Sequence, residues 1–211
     1  MLYREKLNIM HNIYIAGTGI WHPEEKVSND EIVNSYNSYV EKFNQENNLE
    51  IANGSIEAME FSSVEFIEKA SGIKSRYVID KEGILDINRM MPRVKNEHPD
   101  RLSIHAEVGI QAAKKAMDQA NVRPNEIDAV IVGTSHAARN YPAVAIEIQQ
   151  ELGINGYAYD MLVGCSSTTF AINNAYSDIA SGLANSVLVI NPEVSTPFVN
   201  FTHRDKHFIF G

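Results

Sequence analysis

Apolar residues follow two different spacings along the chain, and each spacing predicts one kind of element. Short continuous apolar runs have the length of buried strands. Apolar residues that recur every three or four positions predict helices with one buried face. The two patterns alternate in the second half of the chain, with strands predicted at 127–133, 156–163 and 185–190 and helices at 102–120, at 143–152 and from Cys165 to Gly182. This alternation predicts an α/β fold with a largely parallel sheet covered on both faces.

Two of the predicted helices have a clear apolar stripe. The stripe of the helix 102–120 is Ile104, Val108, Ala112, Ala116 and Ala120, and that of the helix after Cys165 is Phe170, Ile172, Ala175, Ile179 and Leu183. We expect both stripes to face the core.

Boundary signals organise the first half of the chain. Ser28 followed by Glu31 has the spacing of a capping box, which predicts that a helix begins there. Ser62 or Ser63 opens a second helix, and Gly72 ends it. The remaining predictions are strands at 12–19, at 73–79 and from Phe208, a loop at 44–54 and a long irregular segment at 80–101.

The first predicted strand runs into Gly17-Thr18-Gly19. A glycine turn after a strand is one feature of a nucleotide-phosphate loop, but the third glycine and the following helix are missing. A tight turn is the favoured interpretation.

Composition and charge narrow the function classes. The 211 residues carry a formal net charge of -9, which argues against a general nucleic-acid-binding surface. No apolar run approaches the ~18 residues that span a membrane, and the charges within residues 1–10 are unlike a signal peptide. One cysteine excludes an intramolecular disulfide and fits a reducing compartment, so we predict a cytoplasmic protein.

Cys165, the single cysteine, lies where a predicted strand ends and a predicted helix begins. Ser166, Ser167 and Thr168 are candidate N-caps of that helix. Unpaired backbone N–H groups and the positive end of a helix dipole favour a thiolate nucleophile at such a turn, and the same groups can hold an oxyanion. The alternative is a buried structural thiol, because free cysteine is among the most buried residue types.

Several segments occur in an order that resembles a known family. They are E-F-I-E-K-A-S-G-I-K-S-R-Y at 65–77, D-A-V-I-V-G-T-S at 128–135, Y-P-A at 141–143, the strand–Cys165–helix unit, S-G at 181–182 and H-F-I-F-G at 207–211. In combination they resemble β-ketoacyl-acyl-carrier-protein synthase III. The resemblance implies a thiolase-like layered α/β/α/β/α fold of two similar halves, and a homodimer. Residues 12–211 would be roughly the N-terminal half, incomplete at its C-terminal end, where the chain stops inside an apolar run.

The resemblance also implies roles for individual residues. Cys165 matches the acylated nucleophile, and Tyr141 matches the aromatic residue that closes the acyl pocket of the partner subunit. Phe66 falls where the family often has a tryptophan that stacks on the adenine of coenzyme A, and Lys74 and Arg204 fall at basic positions near the nucleotide. Judged without the resemblance, Phe66 is equally a core residue and Arg204 a solvated loop residue. The family's catalytic histidine and asparagine belong to the second half.

The implied substrates are acyl-coenzyme A, which acylates the cysteine, and malonyl-acyl-carrier protein, which condenses with the acyl group after losing carbon dioxide. No metal and no separate cofactor are implied. Two alternatives stay open: a relative of the same fold that makes a methyl ketone, quinolone or hydroxymethylglutaryl product, and a non-catalytic partner subunit. The histidines have no metal-ligand spacing. His203 or His207 as a base for Cys165, and His136 near the sheet edge, are weaker candidates than the histidine of the second half.

The sequence departs from the family's pattern in three places. Ala70 replaces a basic residue common near the coenzyme A phosphates. Stretches at about 37–61 and 81–101 look like insertions and resemble a subgroup that accepts longer acyl primers. Their apolar residues, which we expect to line an acyl tunnel, are Leu49, Ile51, Ile56, Met59, Ile84, Leu85, Ile87, Met90 and Met91.

Overall fold

The structure is a computed structural model that describes residues 12–93 and 100–207. These residues divide into two compact units, the first containing 12–21 and 100–194 and the second containing 22–93 and 195–207. The helices are α1 (Asn29–Glu46), α2 (Asn48–Ala52), α3 (Val64–Ser71), α4 (Lys81–Leu85), α5 (Ile104–Ala120), α6 (Val144–Leu152) and α7 (Ser167–Ser181). The strands are β1 (Lys26–Ser28), β2 (Ser75–Tyr77), β3 (Ala129–Gly133), β4 (Tyr157–Met161) and β5 (Val187–Ile190).

The first unit is built on a parallel sheet with the strand order β4-β3-β5, as the alternation of strands and helices predicts. Successive side chains of β3 point to opposite faces. Val130 and Val132 pack in a cluster with residues of α5 and α6, whereas Ile131 packs against Ala171 and Ala175 of α7. The sheet is therefore covered on both faces. β4 is half-buried rather than buried, because it lies at one edge of the three strands.

The core face of α5 is displaced by one or two positions from the predicted one. The buried apolar residues of this helix are Ala106, Ile110, Ala113 and Met117, whereas the predicted stripe is only half-buried. The segment 12–19, which was expected to be a strand, forms no regular element and lies along that stripe instead. A Cβ on Gly17 would lie 2.4 Å from the Ala116 carbonyl oxygen, so the glycines allow backbone to rest on backbone. This close approach is a structural reason for the glycines and favours packing over a phosphate loop.

The predicted burial of the apolar stripe of α7 is also wrong in part. Ala175 is buried, but Phe170, Ile172 and Leu183 are 52%, 47% and 64% exposed, because nothing among the described residues covers that side of the helix.

The second unit combines β1 and β2, which pair antiparallel, with α1 to α4. Ser28 and Glu31 form the predicted capping box at the start of α1, and Ser63 caps α3, which ends at Gly72. Two predicted loops are partly helical: α1 and α2 occupy most of 44–54, and α4 lies within 80–101. The predicted strand from Phe208 lies outside the described residues.

The apolar residues of the two proposed insertions include core residues of the second unit. Ile84 and Met90 are 1% exposed and belong to a cluster with Tyr36, Val40 and Phe201, against which Met59 and Leu85 also pack. Leu49, in contrast, is 75% exposed. Packing of the second unit therefore accounts for several residues that were expected to line a tunnel. No helix within 12–93 or 100–207 combines the length and hydropathy needed to cross a membrane.

Candidate active site

Cys165 lies in a short turn between β4 and α7, and it is exposed. The residue before it, Gly164, has a φ of +62°, a left-handed conformation that glycine adopts without strain. The turn is a single 3₁₀ segment, Gly164–Ser166, which passes directly into α7. The position predicted for the cysteine is thus confirmed, and the structure does not bury it as a structural thiol.

The expected helix cap takes a different form. Ser166 is the N-cap residue of α7, but its side chain makes no capping hydrogen bond. Ser167, the next residue, is 2% exposed and connects the turn to the sheet. Its hydroxyl accepts a hydrogen bond from the Val163 N–H at 2.9 Å and lies 2.8 Å from the Thr134 carbonyl oxygen, to which it can donate. Without a side-chain cap, the first turn of α7 keeps its N–H groups directed toward the Cys165 end of the helix.

Ser167→Ala is expected to lower the free energy of unfolding by about 2 kcal/mol, because it leaves the Val163 N–H and the Thr134 carbonyl without their buried partner. It is also expected to change the rate at which iodoacetamide alkylates Cys165. Denaturant titration and mass spectrometry of the adduct measure the two effects. Ser177→Ala is the control, since Ser177 is an exposed serine of the same helix that bonds only within it, to Asn173. Equal stability of the two variants would contradict the anchoring role of Ser167.

A polar network stands at the end of β3, next to the anchor of the turn. Thr134 donates its hydroxyl proton to Glu193, which follows β5, at 3.2 Å, and the Ser135 N–H donates to the same carboxylate at 2.9 Å. Burial opposes ionisation of Glu193, but the hydrogen bonds from Ser135 and Thr134 outweigh it and lower the pKa of this carboxyl. His136 lies 3.5 Å from Glu193, so it is held in the network as a loop histidine. The network ties the ends of β3 and β5 together.

Tyr141 lies between β3 and α6 and is 87% exposed. The helix that follows it is capped from the sheet: Asp160 of β4 accepts the N–H groups of Val144 and Ala145 at 2.7 and 2.8 Å. Burial raises the pKa of Asp160 even though these N–H groups favour its charged form. The sequence gives no local signal for this cap, because Asp160 lies sixteen residues beyond Val144.

The second unit brings Phe66 and Arg204 together, two of the residues assigned by resemblance. The guanidinium carbon of Arg204 lies 4.1 Å from the centroid of the Phe66 ring, within the range of a cation–π contact. Arg204 also pairs with Glu60 at 2.9 Å. These side chains line a cavity of about 330 Å³ together with Tyr36, Met59 and Asp205. We refer to this cavity as the Phe66–Arg204 cleft.

Lys74, the other basic residue assigned by resemblance, is exposed between α3 and β2 and does not line the cleft.

His207 is fully buried, with its ring against Tyr36 and Nε2 2.9 Å from the Phe201 carbonyl oxygen, which identifies it as a core residue of the second unit. His203 is exposed. Within 12–93 and 100–207, no group of three or more histidine, cysteine or acidic side chains has the geometry of a metal site.

Comparison with known proteins agrees with this geometry. The family model for 3-oxoacyl-[acyl-carrier-protein] synthase III matches residues 159–211, which include the Cys165 turn. A curated β-ketodecanoyl-[acyl-carrier-protein] synthase of Pseudomonas aeruginosa is 49% identical over 177 residues, which are 84% of this chain and 51% of that protein. The chain therefore spans about half the length of this curated relative.

Solved structures show the same arrangement of elements. The 3-oxoacyl-[acyl-carrier-protein] synthase III of Aquifex aeolicus superposes with a TM-score of 0.67 at 27% identity, over 93% of this chain and 50% of that one. The priming β-ketosynthase of the R1128 polyketide pathway gives a TM-score of 0.66 at 25% identity, over 93% and 46% of the two chains.

The parallel sheet and the exposed cysteine at a strand-to-helix turn place the chain in the thiolase-like class of α/β folds, as predicted. Within that class it is a relative of β-ketoacyl-acyl-carrier-protein synthase III, and the resemblance carried by its motifs is confirmed.

Proposed function

We propose that this protein is an acyltransferase that condenses an acyl-coenzyme A primer with malonyl-acyl-carrier protein. The observation that carries the proposal is the exposed Cys165 at the start of α7, in a chain 49% identical to a β-ketodecanoyl-[acyl-carrier-protein] synthase. An exposed thiol beside the uncapped first turn of a helix is suited to nucleophilic attack on a thioester.

The proposed reaction has two parts. The Cys165 thiolate attacks the thioester carbonyl of the acyl-coenzyme A, a new carbon–sulfur bond forms to Cys165, and coenzyme A leaves as its thiolate. Backbone N–H groups of the Cys165 turn are the proposed donors to the oxyanion of this step. Malonyl-acyl-carrier protein then loses carbon dioxide, and its carbanion attacks the acyl-enzyme. The products are a β-ketoacyl-acyl-carrier protein and the free Cys165 thiolate.

The Phe66–Arg204 cleft is the proposed site of the coenzyme A nucleotide. An aromatic ring facing a guanidinium suits a planar base that stacks on both, and Arg204 also supplies positive charge for phosphate. Lys74, being exposed, is proposed to contribute only long-range charge. We propose further that the protein acts in the cytoplasm as a homodimer, in which Tyr141 extends from its exposed position to close the acyl pocket of the partner subunit.

Acylation of Cys165 is the direct test of this proposal. Incubation of the protein with octanoyl-coenzyme A, followed by proteolysis and mass spectrometry, is expected to place an octanoyl group on the peptide that contains Cys165. Condensation is measured separately, as formation of β-ketodecanoyl-acyl-carrier protein after malonyl-acyl-carrier protein is added. Modification of another residue in place of Cys165 would refute the proposed nucleophile.

The proposed primer is a medium-chain acyl group. Condensation with malonate adds two carbons, so the ten-carbon product in the name of the Pseudomonas relative corresponds to an eight-carbon primer. Each methylene that enters an apolar site contributes about 0.8 kcal/mol, which is roughly a four-fold preference per carbon until the site is full. The name of the Pseudomonas relative supports this primer more directly than the two proposed insertions do. Several apolar residues of the insertions pack in the core of the second unit and are therefore not free to line a tunnel.

We expect kcat/KM for octanoyl-coenzyme A to exceed that for acetyl-coenzyme A by at least about ten-fold, through burial of the longer chain. The measurement is a series of even-numbered acyl-coenzyme A primers with malonyl-acyl-carrier protein held constant. Free coenzyme A serves as a competitive inhibitor, to confirm that the shared nucleotide part binds alike across the series. A maximum at acetyl would contradict the medium-chain assignment and leave the acyltransferase proposal in place.

A further inference from the structure

One wall of the Phe66–Arg204 cleft comes from the first proposed insertion. The segment 59–62 has no regular structure, yet α1 holds it in place through side-chain amides. Asn44 donates to the Met59 carbonyl at 3.0 Å and accepts from the Met59 N–H at 2.9 Å. Asn37 makes the same pair of bonds with Ser62, at 3.1 and 2.9 Å. The two asparagines are seven residues, about two turns, apart on α1, so they lie on the same face of that helix.

Between these two attachments, the Tyr36 hydroxyl donates to the Glu60 carbonyl at 3.1 Å. The backbone of Glu60 is thus fixed, while its side chain is 79% exposed and reaches across to Arg204. A carboxylate on a fixed backbone holds its partner more strongly than one on a mobile loop, because no backbone entropy remains to be lost when the pair forms.

While Arg204 is paired with Glu60, its guanidinium lies directly over the Phe66 ring and leaves no room for a base between them. Arg204 lies 4.1 Å from the Phe66 ring, which is one stacking distance. A planar base inserted between the two needs a separation of about 7 Å, given contacts of about 3.5 Å on each face. Arg204 must therefore move by about 3 Å before a base can stack on Phe66, and Glu60 opposes that movement.

We propose that Glu60 sets the affinity of the Phe66–Arg204 cleft for its ligand, because it holds Arg204 closed over Phe66. This inference rests on the proposed function, which places the nucleotide of coenzyme A in the cleft. The ligand binds only the open arrangement, so its apparent Kd equals the intrinsic Kd divided by the fraction of molecules in which the pair is open. The insertion thereby has a role at the nucleotide site.

The first experiment compares Glu60→Gln with the unaltered protein, using coenzyme A as the probe in a calorimetric titration. Glu60→Gln is expected to lower the Kd about three- to five-fold, the size of effect that an exposed ion pair produces. Glu57→Gln is the matched control, since Glu57 is an exposed acid of the same proposed insertion that does not line the cleft. Because the Glu60 side chain is exposed, the substitution is not expected to impair folding.

A second pair of variants separates this mechanism from simple repulsion between Glu60 and the phosphates of coenzyme A. In an Arg204→Ala background the closed pair cannot form, so Glu60→Gln is expected to give no further gain in affinity. A gain of equal size in both backgrounds would show that Glu60 acts by repulsion and would overturn the proposal.

Two further results have distinct meanings. An unchanged Kd for Glu60→Gln, in a protein whose Cys165 is acylated by octanoyl-coenzyme A, would overturn the role of Glu60 alone. Failure of coenzyme A to bind any variant, together with no acylation of Cys165, would overturn the proposed function and this inference with it. Tighter binding by Glu60→Gln that depends on Arg204 would establish the role.

Discussion

Replacing Cys165 with alanine is expected to abolish acyl transfer from octanoyl-coenzyme A, lowering the rate at least about 10³-fold, to that of the background reaction. The thiol is the group that forms the covalent bond in the proposed mechanism, and no other cysteine is present to replace it. The measurement is the release of coenzyme A in a single turnover, with the adduct mapped by mass spectrometry.

The matched control for Cys165→Ala is Ser177→Ala, which removes a polar group from the exposed surface of α7 and is expected to leave the rate within about two-fold of the unaltered protein. The Cys165→Ala variant is expected to fold, since the cysteine is exposed and alanine fits the same turn. Its binding of coenzyme A is expected to be retained. Acylation that persists in Cys165→Ala would show that the nucleophile is elsewhere.

Replacing Glu147 with alanine is expected to lower the free energy of unfolding by about 3 kcal/mol, the largest stability effect that we predict. Glu147 of α6 is 6% exposed, and its carboxylate pairs with Arg139. It also accepts the N–H and the hydroxyl proton of Ser103, the N-cap residue of α5, at 3.0 and 2.6 Å. The substitution removes the ionic partner that Glu147 provides to a mostly buried guanidinium, and it leaves two buried donors of Ser103 without their acceptor.

Guanidinium chloride denaturation at neutral pH measures the effect of Glu147→Ala. Glu151→Ala, an exposed acid one turn further along α6, is the control and is expected to change stability by less than about 0.5 kcal/mol. Similar midpoints for the two variants would mean that the Glu147 network contributes little to stability. A reduced slope of the transition, by contrast, would indicate that the first unit had lost its cooperative unfolding.

Each of the two units contains one of the features on which the proposed function rests. The first unit supplies an exposed nucleophile and fixes its turn through Ser167 and Thr134, whereas the second unit forms a cleft with an aromatic ring and a cation. Sequence reasoning singled out Cys165, Phe66 and Arg204, whose roles stay predictions; the structure shows that the cysteine is exposed and that the other two side chains are in contact. Sequence reasoning missed the anchor at Ser167, which it considered only as a cap, and it missed Glu60, for which no motif exists.

The domain assignment made from the sequence, a single N-terminal half at 12–211 with two insertions, stays a prediction. The structure resolves the described residues into two compact units, and the insertions contribute to the second of them.

The sequence by itself determined the features that depend on residues close together along the chain. The capping box at Ser28 and Glu31 was predictable because the two side chains reach each other within one helical turn. The parallel sheet was predictable because apolar runs separated by helices have few other ways to bury themselves. The place of Cys165 between β4 and α7 followed from the same local pattern.

Only the tertiary structure decided the features that depend on which surface covers which. Apolar spacing does not distinguish the two sides of α5. One side packs against the sheet and becomes buried, whereas the other is covered only in part by the coil at Gly17. Helical spacing also could not show that Phe170 and Ile172 are exposed, because it does not tell which face of a helix another segment covers. Glu60 and Arg204 lie 144 positions apart, and the Glu60 end of their contact is fixed because Asn37 and Asn44 hold the segment 59–62 along α1. Packing between segments that are distant along the chain fixes such contacts. The local pattern of apolar and polar residues does not show which distant segments will meet.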